Sequence, residues 1–413
     1  MTNKISSYKI YLLFSAITAM CFSSVFTVSM VYHIEKVHLN PLQLILVGTT
    51  LEAACFIFEI PTGIVSDVYS RKLSIIIGTT LIGLGFMIEA SIPKFIIIII
   101  SQIVWGIGHT FISGSIDAWI AEESKGEDLN RVYIKGAQAG QIGSVVGIVF
   151  STILGNFSVR IPIALGGAIF IIFSIFLWIY MREGNFTPSA PDELNTFRKM
   201  GYTFRSSVKF IKSKPIIMLL LSATLFYGLA SEGYDRLYTA HFLQDTILPS
   251  IWNLSSVTWF GIFGISGMLL NAGVMQLIVK RLEREEKINS AVVLIGTNIF
   301  YIIFMLIFAL TKDFKIMLMG YLLTNMFRTI NEPIFSAWLN NHIDEKARAT
   351  VISTNSQVNA LGQIIGGPII GILATNISVS IGIACTALLV SPVIIIYLLT
   401  IFRDKRDSLN NKS

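Results

Sequence analysis

An all-α membrane protein of twelve transmembrane helices in two six-helix bundles is the fold class this sequence predicts, and three observations carry it. The 413 residues are 53% hydrophobic and 14% charged, with a mean hydropathy of +0.69, too apolar and charge-poor for a water-soluble globule. Apolar residues gather in twelve runs, each about long enough to cross a ~30 Å hydrocarbon core at 1.5 Å per residue. A single long polar connector, 182–214, separates six runs from six. Runs of this length cannot alternate as lipid-facing barrel strands, so helices must satisfy the backbone.

The first span, 9–32, is too long for a signal-peptide core and lacks a clear small-residue cleavage site, so it is expected to remain as a helix. The second and third, 42–65 and 73–92, meet at a tight charged turn, Gly63 to Lys72. In the fourth, 95–121, His109, Ser113 and Asp117 recur every four residues and should share a face. The fifth, 132–155, carries a stripe of Gly136, Gly140, Gly143 and Gly147, and the sixth, 162–181, stops at Arg182. Within the connector a partly amphipathic helix is expected near Phe204 to Ile211. Glu232, Tyr234, Asp235, Arg236 and Tyr238 occupy one half of the seventh span, 215–240. Adjacent acid and base cannot all face one way on a helix, so at least one must reach a neighbour. After the eighth and ninth spans, 252–279 and 288–311, the tenth, 316–341, holds Arg328 and Glu332, four residues apart and able to pair with each other. Gly362, Gly366, Gly367 and Gly371 beside Pro368 mark the eleventh, 350–375, and the twelfth, 380–402, runs into a basic tail. The domains implied are 1–181, a linker 182–214, and 215–413.

Lys4, Lys9, Arg71, Lys72, Lys125, Arg131, Arg182, Lys280, Arg281, Lys346 and Arg403 fall on one side of the membrane, Lys36, Lys94, Arg160, Lys312 and Lys315 on the other. Both termini should therefore be cytoplasmic. The net charge of +6 reflects that asymmetry, so nucleic acid is not an expected partner. Cys21, Cys55 and Cys385 lie inside spans without paired spacing, which implies neither disulfide nor metal site. There is no nucleotide loop, metal-spaced His cluster or nucleophile triad, and Gly106-x-Gly108 lies inside an apolar span. Neither a cofactor nor an enzymatic activity is expected.

The two halves read as copies at a constant offset of 219: His109-Thr110 with Arg328-Thr329, Asp117-Ala118-Trp119 with Ser336-Ala337-Trp338, Gln138 with Gln357, Gly143 with Gly362 and Gly147 with Gly366. Parallel repeats of this kind imply a central cavity. The two glycine-striped helices, the fifth and eleventh, are expected to pack tightly against partners from the opposite half.

Gly63, Asp67, Arg71 and Lys72 resemble the Gly-x-x-x-Asp-x-x-Gly-Arg-[Lys/Arg] loop of the major facilitator superfamily, with Ser70 where the family usually has Gly. Asn40-Pro41-Leu42-Gln43, Glu59-Ile60-Pro61-Thr62-Gly63, Asp117-Ala118-Trp119-Ile120-Ala121-Glu122 and Glu232-Gly233-Tyr234-Asp235-Arg236-Leu237 resemble a bacterial group of drug-proton antiporters of the tetracycline-resistance and macrolide-efflux types. Gln102 and Trp105 depart from the Arg-x-x-Gln-Gly-x-Gly pattern frequent in the superfamily's proton-coupled exporters. The resemblance implies a monomeric secondary active transporter in a bacterial cell membrane, in contact with lipid, exporting amphipathic small molecules by alternating access against a proton gradient. An uptake or export carrier for one defined metabolite is the alternative. A non-transport scaffold would need neither the repeat nor the intramembrane acids.

Ionisable groups inside spans are costly and mark functional positions or paired networks. Glu52 and Asp117 are the first candidates for proton coupling, Glu59 and Asp235 the second; Gly63, Asp67, Arg71 and Lys72 would form a gate. His109, Ser113, Tyr234, Asp235 and Arg328 are the candidates for substrate contact, because they lie on helices that line the cavity of the resembled fold. Phe14, Phe22, Phe26, Tyr227, Tyr234, Tyr238, Phe260, Phe327 and Phe335 would supply aromatic surface there. A structural network of paired charges accounts for Glu232 to Arg236 as well as a substrate site does. At Glu89, near the end of the third span, snorkelling to water competes with a functional role.

Overall fold

The computed structural model describes residues 5–124, 128–187, 214–249, 253–284, 289–343 and 348–410, with the backbone alone at 277–284, 349 and 404–410. The amphipathic helix expected at 204–211 lies outside these residues. Thirteen helices are described: α1 (Ser7–Glu35), α2 (Pro41–Val68), α3 (Arg71–Ser91), α4 (Phe95–Ile112), α5 (Ser115–Glu123), α6 (Leu129–Gly155), α7 (Arg160–Tyr180), α8 (Pro215–Gln244), α9 (Ser256–Arg284), α10 (Ser290–Leu310), α11 (Phe314–Asn341), α12 (Arg348–Asn376) and α13 (Val379–Asn410). No strand occurs among the described residues. Eleven helical segments, α4 and α5 counted as one, are long and apolar enough to cross a membrane. The remaining helix, α11, covers the tenth expected span; polar residues such as Arg328, Asn331 and Glu332 make it less apolar than the other eleven segments.

Helix boundaries follow from local chemistry. Asn40 and Gln43 form a reciprocal capping box at α2, with backbone-to-side-chain bonds of 3.0 and 2.9 Å, ahead of Pro41 in the first turn. Ser70 caps α3 by accepting from Leu73 N (2.9 Å). Its φ of −175° is extended backbone open to any residue, so this turn does not need the glycine usual in the family. Asp128, Asn289 and Asp313 cap α6, α10 and α11. Between α4 and α5 the helix breaks at Ser113 and Gly114, and Gly114 adopts φ +72°, where a Cβ would be strained. The single fourth span expected from sequence is therefore two helices, and the break interrupts the shared face of His109, Ser113 and Asp117.

Contacts divide the chain into two units: Met1–Gln43 with Thr50–Pro191 and Ser250–Ile265, and Leu44–Thr49 with Asp192–Pro249 and Ser266–Ser413. Glycine crossings hold the first unit together. A Cβ on Gly83 would stand 2.7 Å from Gly167 O and one on Gly167 2.7 Å from Gly83 O, which ties α3 to α7; Gly78 and Gly108 face each other in the same way between α3 and α4. Gly143 and Gly147 lie on the Ala16 and Met20 backbone of α1. In the second unit Gly362 and Gly366 lie on the Leu225 and Leu229 backbone of α8. At these stripe positions the carbonyls of the first helix of the same half fill the space that the missing Cβ atoms leave, whereas Gly367 meets Ile45 and Thr49 of α2 and Gly155 meets Val257 of α9, so both helices also touch the opposite half.

Candidate functional site

In the second unit, four helix faces converge on a cavity of about 320 Å³. Thr224, Tyr227, Ser231 and Asp235 come from α8, Tyr301 from α10, Arg328, Asn331, Glu332 and Phe335 from α11, and Asn355, Asn359 and Gln363 from α12. The spacings of three and four residues on α8, α11 and α12 are those of single helical stripes. Phe335 is the sole lining residue without a polar side-chain atom.

Arg328 and Asp235 anchor the cavity. Nη1 of Arg328 donates to Asp235 Oδ1, and Nη2 to Oδ2 at 2.8 Å, a fork-to-fork pair between α11 and α8. The two side chains remain 39% and 40% exposed, so the pair faces the open cavity. Arg328 pairs with Asp235 and not with Glu332, which also lines the cavity; the i,i+4 pairing within the tenth span that the sequence allowed is not the one formed. Asp235 is the residue of its cluster that reaches a neighbouring helix, whereas Arg236 turns back to Glu232 within α8 at 3.1 Å. Neutral groups are held in place around the pair. Thr224 donates to Asn355 Oδ1 (2.6 Å), Gln363 Nε2 to Asn359 Oδ1 (2.6 Å), and Thr297 to Asn331 Oδ1. Asn331 is 5% exposed, and its Nδ2 has no hydrogen-bond partner among the described residues. A buried amide donor left in this state favours a ligand that brings an acceptor.

Tyr234, expected at the substrate, is 1% exposed instead. Its hydroxyl accepts from Asn325 Nδ2 (2.9 Å), and its ring packs on Tyr238, Tyr321 and Phe308. Phe14 is likewise in a core cluster with Tyr11 and Trp119, Phe22 packs among Phe86, Trp105 and Phe170, and Phe327 stacks on Phe300 and Phe304. Of the aromatic residues nominated for the cavity, Tyr227 and Phe335 line it.

The other nominated residues lie in the first unit. His109 and Ser113 are exposed beside the helix break, with the His109 ring set edge-on to Trp105. Asp117 is exposed on α5, and its side chain is hydrogen-bonded by Tyr11. Glu52 and Glu59 are half-buried on α2, flanking Cys55. Gly63 has open space around it, and Asp67 is exposed in the last turn of α2. Arg71 donates to Ala118 O (2.9 Å), meets Glu122 (2.7 Å) and lies over the Phe186 ring. Glu183 accepts from Lys72 N (3.0 Å) and from Ser70 (2.5 Å), while Trp119 Nε1 donates to Arg182 O (2.6 Å). The motif residues therefore knit α3, α5 and segment 181–187 together.

Sequence reasoning missed the amides. Asn355, Asn359 and Gln363 recur every four residues on the eleventh span, a polar stripe in an apolar helix that was legible but was overshadowed by the glycines. Asn331 and Tyr301 carry no comparable signal.

A polar cavity inside a bundle of membrane-crossing helices, with a charge pair and one unspent amide donor, defines a solute carrier. The chain matches the family model for the Major Facilitator Superfamily over residues 12–296 and 286–413, and it belongs to that superfamily. It is a secondary transporter of this type. It is 25% identical over 391 residues to the uncharacterized MFS-type transporter YxaM of Bacillus subtilis (strain 168), covering 94% of each chain. Solved structures share the fold. A mutant of the nucleoside transporter NupG superposes with a TM-score of 0.80 at 13% identity, over 96% of this chain and 100% of that one. A bacterial homolog of the human lysosomal transporter Spinster gives 0.74 at 12% identity, over 95% and 96%. A POT family transporter in complex with a thioalcohol-conjugated peptide gives 0.74 at 12% identity, over 97% and 96%.

Proposed function

We propose that the protein carries a small, polar, hydrogen-bonding solute, the metabolite alternative, in preference to the amphipathic drugs that the sequence resemblance implied. The observation that carries this reading is the cavity lining, which is polar at every position but Phe335. Sites for amphipathic ligands are lined mostly by apolar and aromatic side chains with few polar groups. Here the four amides, the hydroxyls and the Arg328–Asp235 pair would replace the hydration shell of a solute rich in hydroxyl, amide or carboxylate groups. The nucleoside and peptide transporters that share the fold are named for polar cargo, which is compatible with this reading but does not select a substrate. Coupling to a proton gradient across the cell membrane, with both termini cytoplasmic and Asp67 at the gate, completes the proposal. Its support is the Lys and Arg asymmetry and the half-buried acids Glu52 and Glu59.

The test is uptake into proteoliposomes of labelled nucleosides, sugars, amino acids and dipeptides beside lipophilic dyes, with and without an imposed pH gradient. Saturable, gradient-stimulated uptake of one polar class supports the proposal. Transport confined to the lipophilic dyes overturns it.

A further inference from the structure

At the far end of α1 lies a second polar cluster, unrelated to the cavity and wholly within the first unit. His33 and Glu89 are each 2% exposed, and Nε2 of His33 is 2.9 Å from Glu89 Oε1. Glu89 is thus a buried, partnered acid and does not snorkel. From α4, Gln102 Nε2 lies 3.3 Å and Ser101 Oγ 3.5 Å from Glu89 Oε2, and Gln102 Oε1 in turn accepts from Trp105 Nε1 at 2.9 Å. Tyr32 donates to Glu89 O (3.1 Å). Arg160 of α7 is committed to the carbonyls of Ala90 (2.8 Å) and Ser91. Glu35, two residues along α1, is turned to Ser256 of α9 (2.7 Å).

One atom does not fit a purely structural cluster. Nδ1 of His33 is buried with no hydrogen-bond partner among the described residues. We assign the neutral tautomer in which Nε2 donates to the Glu89 carboxylate and Nδ1 is a bare acceptor, because it is the arrangement in which every buried N–H is used. Adding one proton disturbs this wherever it binds. On Nδ1 it creates a buried donor with nothing to receive it, unless α1 shifts against α3. On Glu89 Oε2 it displaces the Gln102 amide, whose other end holds Trp105. We infer that His33 and Glu89 form a proton-binding site whose occupancy is linked to repacking of α1 and α4 on α3. The ligand is the proton, and the reporter is Trp105.

Nitrogen-15 NMR of histidine-labelled wild-type protein, titrated from about pH 5 to about pH 8, reads the site directly, with His33→Gln identifying the His33 signals. The expected result is loss of the Nε2-protonated tautomer in one transition. The same transition should appear in the Trp105-dependent fluorescence, defined as the difference from Trp105→Phe, vanish in Glu89→Gln and reappear at a shifted midpoint in Glu89→Asp. An imidazole that keeps one tautomer across the range overturns the inference. A Trp105 transition that persists unchanged in folded Glu89→Gln does so as well. The wild-type titration does not depend on whether the variants fold, and neither readout depends on the identity of the transported solute.

Discussion

Asp235→Asn removes one charge from the cavity while keeping the shape of the side chain, and its consequence can be worked from geometry. At the 2.8 Å separation of Arg328 Nη2 and Asp235 Oδ2, unit charges attract by about 6 kcal/mol at an effective dielectric of about 20 and by about 1.5 kcal/mol in bulk water. Both side chains are close to 40% exposed, so solvent screening moves the net value toward that of exposed pairs, and about 1 kcal/mol is a fair figure for the coupling. The assay is a double-mutant cycle of Asp235→Asn, Arg328→Gln and the double variant, read by thermal stability and by the Kd of the transported solute. Each single variant leaves one member of the pair without its partner, with Glu332 the other charged lining residue in both. The double variant should therefore recover about 1 kcal/mol, near fivefold, relative to the sum of the singles. Simple additivity in both readouts would refute the claim that the two groups act as a unit.

Asn331→Leu should weaken solute affinity by about fivefold to tenfold, because a hydrogen bond from a buried amide contributes about 1 kcal/mol or more, while leaving the melting temperature nearly unchanged. Gly366→Val should abolish folded protein, since a Cβ there meets Leu229 backbone; Gly267→Ala, with nothing within 4 Å, should stabilise by about 0.5 kcal/mol through helix propensity. Both are checked by fluorescence-detected size exclusion. Ser70→Ala should lower stability by about 1 kcal/mol through loss of the α3 cap, and Ser70→Gly by less. Arg71→Gln should expose segment 181–187 to protease, because it removes the cation–π contact to Phe186 and loosens α5, held through Glu122 and Ala118 O, whose Trp119 bonds Arg182 O.

The helices were legible because lipid demands long apolar runs, and the observed bounds depart from the expected ones by a few residues at most ends. The exceptions have local causes. Gly114 breaks the fourth span through a left-handed backbone that apolar length cannot reveal. In α11 the polar residues follow the cavity, so composition understates its place in the fold. The site was half legible. Arg328 and Asp235 stood out as charges in apolar helices, but nothing in the sequence favoured their pairing across helices over Arg328 with Glu332. Tyr234 was misplaced because a tyrosine beside an acid reads alike whether its ring faces a cavity or a core. Glu89 and His33, 56 residues apart, meet only through tertiary packing.

The most direct test of the central claim is substrate protection at the cavity wall. In a variant lacking Cys21, Cys55 and Cys385, Asn359→Cys places one thiol among the lining residues, and its rate of reaction with a maleimide is followed as solutes are added. The account predicts that a transported polar solute slows labelling in a saturable manner, with a midpoint matching its transport affinity. Unchanged labelling of a variant that still transports that solute would contradict it.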